Sequence, residues 1–119
     1  MDGDSIDFGL VLEMCQNKER RVVLRLLVKE QQSLTLDNLT KAIFNSTHQM
    51  SPAGASEDKL SDIRLSLYHV HLPKLASKDF IHYDSEKELV APTNQFEQLQ
   101  PTLSTILDAD PSLEMPITP

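Results

Sequence analysis

Residues 56–91 set the tightest limit on what this chain can fold into. Ser56-Glu57-Asp58-Lys59 places a capping hydroxyl ahead of acids in a first turn, the pattern of a helix start. From there to about Lys78 the apolar residues keep helical spacing in two tracks. One is Leu60, Ile63, Leu67 and Val70; the other is Leu65, Tyr68, Leu72, Leu75 and Ala76. At about 100° per residue the two tracks cover most of the helix, leaving a narrow polar strip of Asp62, Ser66, His69 and Pro73. Pro73 has no N–H to give the carbonyl of His69, so a bend is expected there. Directly after this helix, Phe80–Asp84 has strand composition, Ser85-Glu86-Lys87 reads as a turn, and Glu88–Ala91 as a second strand. A long helix running straight into a hairpin must sit over a core built by the preceding residues.

Those residues read as helices. Ile6, Leu10, Val11, Met14 and Cys15 share one helical stripe, with Phe8 and Leu12 widening it. Asn17 opens a second helix, Lys18 to about Glu30, with Val22, Val23, Leu26 and Leu27 on its apolar side and Lys18, Arg20, Arg21 and Arg25 opposite. Ser33-Leu34-Thr35 suits a very short strand, and a third helix runs from Thr35 or Leu36 through Asn45. Residues 46–56 lose all periodicity and read as loop. Beyond the hairpin, Phe96, Leu99, Leu103, Ile106 and Leu107 keep helical spacing over about 94–108, and Pro101 within them predicts a kink or two short helices. The three prolines after Asp110 suggest a fraying tail over 110–119. The expected fold is therefore mainly α with a small β-hairpin wing. It is a winged helix-turn-helix, one domain over 1–109 with its core at about 17–92 and extra terminal helices at about 5–15 and 94–108. The recognition helix is about 56–78 and the wing about 80–91.

Composition narrows the function. The chain has no apolar run long enough to span a bilayer, and its acidic start, Met1-Asp2-Gly3-Asp4, is unlike a signal peptide. The single Cys15 fits a reducing cytoplasm and reads as a packing residue. The net charge of −7 argues at first against nucleic acid, but it is unevenly spread. Residues 1–16 carry −4 and 79–119 carry −7, whereas residues 17–78 carry +4. A weakly basic middle framed by acidic ends is compatible with a nucleic-acid face and equally with ordinary solvated charge.

Chemistry of other kinds finds little purchase. His69 and His71 are two apart, about 200° on a helix, so one ion cannot join them. No cysteine or paired carboxylate completes a metal set, and no phosphate loop or nucleophile motif is present. No enzyme, cofactor, metal or small-molecule substrate is expected.

The stretch SLYHVHLPKLASKDFIHYD (66–84), with NKERRVVLRLL (17–27) and SLTLDNLTKAI (33–43), resembles the small haloarchaeal winged helix-turn-helix proteins. The resemblance spans roughly 6–92, and its most specific part is LYH-x-HLPKL. More distantly the layout is similar to ArsR-like winged-helix regulators, with His71-Leu72 and Leu75 matching their recognition helix. Asp79 stands where that pattern has glycine, Pro73 lies within the helix, and the preceding loop is long. The resemblance implies a DNA-binding regulator, mostly of unassigned target, from an archaeal halophile. At high salt, phosphate contacts weaken and binding leans on shape and base edges.

The residues expected to meet double-stranded DNA are Lys59, Arg64, Ser66, His69, Lys74 and Lys87. In a helix-turn-helix the exposed strip of the recognition helix meets base edges, and nearby cations meet phosphate. Arg64 is the group best shaped for a guanine edge, Lys87 lies at the wing tip, and Asp62 on the same strip is unhelpful. The stripes on the terminal helices (Phe8, Leu12; Phe96, Leu99, Leu103, Ile106) need a cover, and a homodimer supplies it. The alternative is a winged helix that binds protein or dimerises without DNA.

Overall fold

A computed structural model describes residues 8–48 and 57–113. The capping hydroxyl expected at Ser56, the expected start of the first helix with Ile6, most of the loop expected over 46–56 and the tail beyond Leu113 lie outside these residues. Among the described residues, six α-helices and three short strands follow one another: α1 (Phe8–Met14), α2 (Lys18–Glu30), β1 (Leu34–Thr35), α3 (Leu36–His48), α4 (Glu57–Ser66), α5 (Leu72–Ser77), β2 (Ile81–Asp84), β3 (Leu89–Pro92) and α6 (Asn94–Asp108). A π-helical turn, Leu67–His71, joins α4 to α5, and a 3-10 turn, Pro111–Leu113, follows α6. The architecture is thus mainly helical with a small antiparallel sheet.

Local chemistry sets the helix starts. The Asn17 side chain accepts from the N–H groups of Glu19 (2.8 Å) and Arg20 (3.2 Å), so α2 begins where the cap falls. Thr35 Oγ1 caps α3 by accepting from Asn38 N–H at 2.9 Å. α5 ends in a Schellman motif: Phe80 N–H donates to the carbonyl of Leu75 and Asp79 N–H to that of Ala76, both at 3.0 Å. That motif needs a left-handed residue, and Asp79 supplies it at φ 63°. Thr93 then ties the hairpin to α6. Its hydroxyl donates to the Asp79 carbonyl at 2.6 Å and accepts from Phe96 N–H at 3.1 Å.

β3 is the central strand. β1 pairs with one edge (Leu34 opposite Val90) and β2 with the other (Tyr83 opposite Val90), all antiparallel. The hairpin turn is held by Asp84, whose Oδ1 accepts from Glu86 N–H (3.0 Å) and Lys87 N–H (3.2 Å).

The core corrects several expectations. α2 buries Val22, Val23, Leu24, Leu26 and Leu27, an apolar surface too broad for one neighbour. α3 covers one part of it and α6 another. Phe96 (1% exposed), Leu99 (4%) and Leu103 (0%) are therefore buried within their own chain, not in a dimer interface. Ile106 packs half-buried against the same core, while Phe8 and Leu12 stay exposed. Salt bridges lock this closure: Arg25 reaches Asp108 at 2.6 Å and Arg21 reaches Asp110 at 2.9 Å. Leu113 is buried too, so residues 110–113 belong to the domain rather than to a tail. Pro101 does not divide α6. It is exposed, as is Glu97, whose carbonyl loses its helical donor and can be solvated.

Candidate nucleic-acid interface

The helix expected over 56–78 is one helical path with a wide turn in the middle. In the π turn, Leu72 N–H donates to the carbonyl of Leu67, five residues back. Pro73 follows immediately, so the expected bend is taken up by a turn in which the missing donor costs least. The wide turn also moves the buried line. At a regular period, Val70 would follow Leu67 into the core. Instead Ile63, Leu67, His71, Leu72 and Leu75 are buried, and Leu65 (51%), Tyr68 (43%) and Val70 (51%) are exposed. Leu65, Tyr68 and Val70 are thus corrected from core to surface. His69 is exposed as expected and meets Tyr68 edge-on at 5.0 Å. Tyr68 in turn meets Tyr83 of β2 edge-on at 6.1 Å, linking helix and hairpin.

His71 is the residue the periodicity left unassigned. It lies at 4% exposure between Glu19 and Arg20, in the capped first turn of α2. Its Nε2 is 2.9 Å from Glu19 Oε1, and its Nδ1 is 3.3 Å from an Arg20 guanidinium nitrogen. A guanidinium only donates, so Nδ1 accepts and Nε2 carries the hydrogen given to Glu19. Ser66 Oγ donates to the same Glu19 oxygen at 3.2 Å. The His71 hydrogen bond holds the Glu19 carboxyl below the usual carboxylate range, and the Ser66 hydroxyl adds to it against the effect of burial. Arg20 is itself buried, contrary to its expected place on the outer side of α2. Its other nitrogens donate to the carbonyls of Met14 (2.9 Å) and Glu13 (3.1 Å), capping the end of α1. One network therefore joins α1, α2, α4 and the π turn. The lone signal for it in the sequence was a polar residue, His71, between two apolar tracks.

The structure also sorts the expected DNA contacts. Lys87 and His69 are exposed, Lys87 at the hairpin turn. Lys59 is exposed in the first turn of α4 and has an interaction of its own. Arg64 is held by Asp37 of α3 at 3.0 Å. Ser66 is committed to Glu19. Lys74 pairs more loosely, at 3.4 Å, with Glu13 of α1. Arg64, Ser66 and Lys74 are therefore engaged within the domain, because each sits on the flank of the helix that faces another element. The basic middle of the chain is largely consumed by such internal pairs.

Among the described residues, no three His, Cys, Asp or Glu side chains are grouped to hold a metal, and no helix is long and apolar enough to cross a membrane. Cys15 is buried, and burial pushes its thiol up from the ordinary value.

Fold and surface together define a small, mainly helical domain with a three-stranded antiparallel sheet, whose most prominent exposed feature is a helix carrying apolar side chains beside a hairpin. The chain belongs to the family described as Domain of unknown function (DUF7344), whose profile matches residues 12–91. The match ends before α6, although α6 supplies Phe96, Leu99, Leu103 and Leu107 to the core. No curated protein and no solved structure matches the chain.

Proposed function

We propose that this protein is a winged helix-turn-helix DNA-binding regulator of a halophilic archaeon, acting in the cytoplasm without a cofactor. In this reading α3 and the α4–α5 path form the helix-turn-helix, and β2–β3 is the wing. The observation that carries it is topological. The order helix, strand, helix, helix, strand, strand, with β1 against β3, sets an exposed helical face and a hairpin tip side by side. Fold alone is an argument by analogy, so the binding face must be tested directly.

The surface shapes the expectation. With Arg64, Ser66 and Lys74 engaged internally, base-edge contact falls to His69 and its neighbours, and phosphate contact to Lys87 and Lys78. Two such contacts give a shallow salt dependence, a slope of about −2 in log affinity against log salt. Fluorescence anisotropy on duplexes selected from the host genome measures this. Lys87→Ala should lower the slope by about one, and His69→Ala should weaken binding to the selected sequence more than to random duplex. If no duplex binds at any salt concentration at which the protein is folded, the reading fails.

A second reading, protein docking, has one observation in its favour. Leu65, Tyr68 and Val70 are large, apolar and exposed on a single helix, beside the acids Asp58 and Asp62.

A further inference from the structure

The exposed strip of the α4–α5 path has a charge order as well as an apolar centre. Its N-terminal part carries Glu57, Asp58 and Asp62 against Lys59, and its C-terminal end carries Lys74 and Lys78. Leu65, Tyr68 and Val70 lie between. Asp58, Asp62 and Lys78 take part in no ion pair among the described residues. Lys74 lies half-exposed at the edge of the strip, and in the proposed pair it exchanges its loose 3.4 Å contact with the half-exposed Glu13 for Asp62 of the second copy.

We propose that a second copy of this chain covers the strip, in an antiparallel two-fold pair of α4–α5 helices centred on Tyr68. The spacing is what selects this occupant. Asp62 and Lys74 each lie six positions from Tyr68, and Asp58 and Lys78 each lie ten. A two-fold axis at Tyr68 therefore sets Asp62 against Lys74 of the second copy, and Asp58 against its Lys78, twice over. The π turn keeps the pairing on one side. Its wider repeat carries the line from Asp62 past Val70 to Lys74, so acid and base fall on the same flank. A parallel pair would instead set acid against acid. Glu57 and Asp79 meet as like charges at the outermost position, where solvent screens them. Burying Leu65, Tyr68 and Val70 supplies the apolar centre that an interface of this kind needs.

The inference rests on the strip and its charges, not on the duplex reading. It goes beyond that reading by giving the face a regulator: the pair masks the surface proposed to meet DNA, so duplex and second copy compete.

Charge reversal tests it without nucleic acid, by sedimentation of the full chain. Wild type should be a dimer whose dissociation constant rises with salt. Asp62→Lys alone and Lys74→Asp alone should each weaken self-association by about tenfold or more, with unchanged circular dichroism. An equimolar mixture of these two variants should associate again. In that mixed pair, one contact keeps the native Lys74–Asp62 order and the other is reversed in sign, so both are attractive. A wild type that stays monomeric at the highest soluble concentration overturns the proposal. So does a dimer indifferent to either reversal, or a mixture no tighter than its components. Tyr68→Asp should also dissociate the pair, and an unaffected dimer would place the interface elsewhere.

Discussion

Arg20 offers the sharpest test of how this fold is held. Its guanidinium is buried and donates three times: to Met14 carbonyl at 2.9 Å, to Glu13 carbonyl at 3.1 Å, and to His71 Nδ1 at 3.3 Å. Arg20→Ala removes three charge-assisted bonds and leaves the buried imidazole and two helix-end carbonyls without their donor. A hydrogen bond to a charged group contributes about 1.5–3 kcal/mol, and breaking a buried ionic network from one side costs about 3–5 kcal/mol. The contact to His71 is long and the Glu13 carbonyl is only part-buried, so the lower end applies, about 3 kcal/mol. For a domain of this size that lowers Tm by roughly 10 °C. Arg20→Lys keeps the charge but cannot reach all three acceptors, so it should lose about 2 kcal/mol. The control is Arg25→Ala. Arg25 also makes an ion pair, at 2.6 Å, but to an exposed Asp108, and exposed pairs contribute about 1 kcal/mol or less. Urea unfolding of the three variants at neutral pH ranks them. If Arg20→Ala costs no more than Arg25→Ala, the network is not what joins α1 to the π turn, and the reasoning fails.

Two further outcomes follow from the same geometry. Glu19 is held below its ordinary value by the His71 hydrogen bond, so its folded form favours the carboxylate. By linkage, that contribution is fully present above the unfolded value of about 4.5 and is lost as pH falls through the lower folded value. Glu19→Gln should therefore be less stable than wild type at neutral pH and converge on it in acid. Parallel stability curves down to low pH would contradict this. Asp79, at φ 63°, holds the left-handed position of the Schellman motif that glycine fills without strain. Asp79→Gly should raise stability by about 0.5–1 kcal/mol, read as a higher urea midpoint with unchanged slope, and a loss of stability would refute the strain argument.

The parts that were legible from residues alone were those governed by neighbours a few positions away. Asn17 marked the start of α2 because a cap acts over two or three residues. Leu34–Thr35, the hairpin and the helix expected through Asn45 followed from period and turn chemistry, although that helix runs on to His48, into residues read as loop, because its last turn continues without an apolar residue to mark it. The surface of the α4–α5 path was misjudged at Tyr68 and Val70, because a regular period was extended through a π turn, and at Leu65, which precedes that turn and lies across the helix from the buried Ile63. Of the candidate contacts, His69 and Lys87 are exposed, while Arg64 and Ser66 are held by Asp37 and Glu19, residues 27 and 47 positions away.

The sequence by itself determined which segments are helix or strand, where they begin, and that a helix–hairpin unit stands on a helical base. Those outcomes depend on backbone propensity, capping and periodicity, all local. Only the tertiary structure decided which charges remain on the surface. Arg20, Arg21, Arg25, Arg64 and Lys74 all read as solvent-facing cations, yet each closes on a partner brought in by packing. It also decided what α6 covers. An apolar stripe states that it must be buried but not against what, and the broad apolar face of α2 within the same chain settled that for Phe96, Leu99 and Leu103.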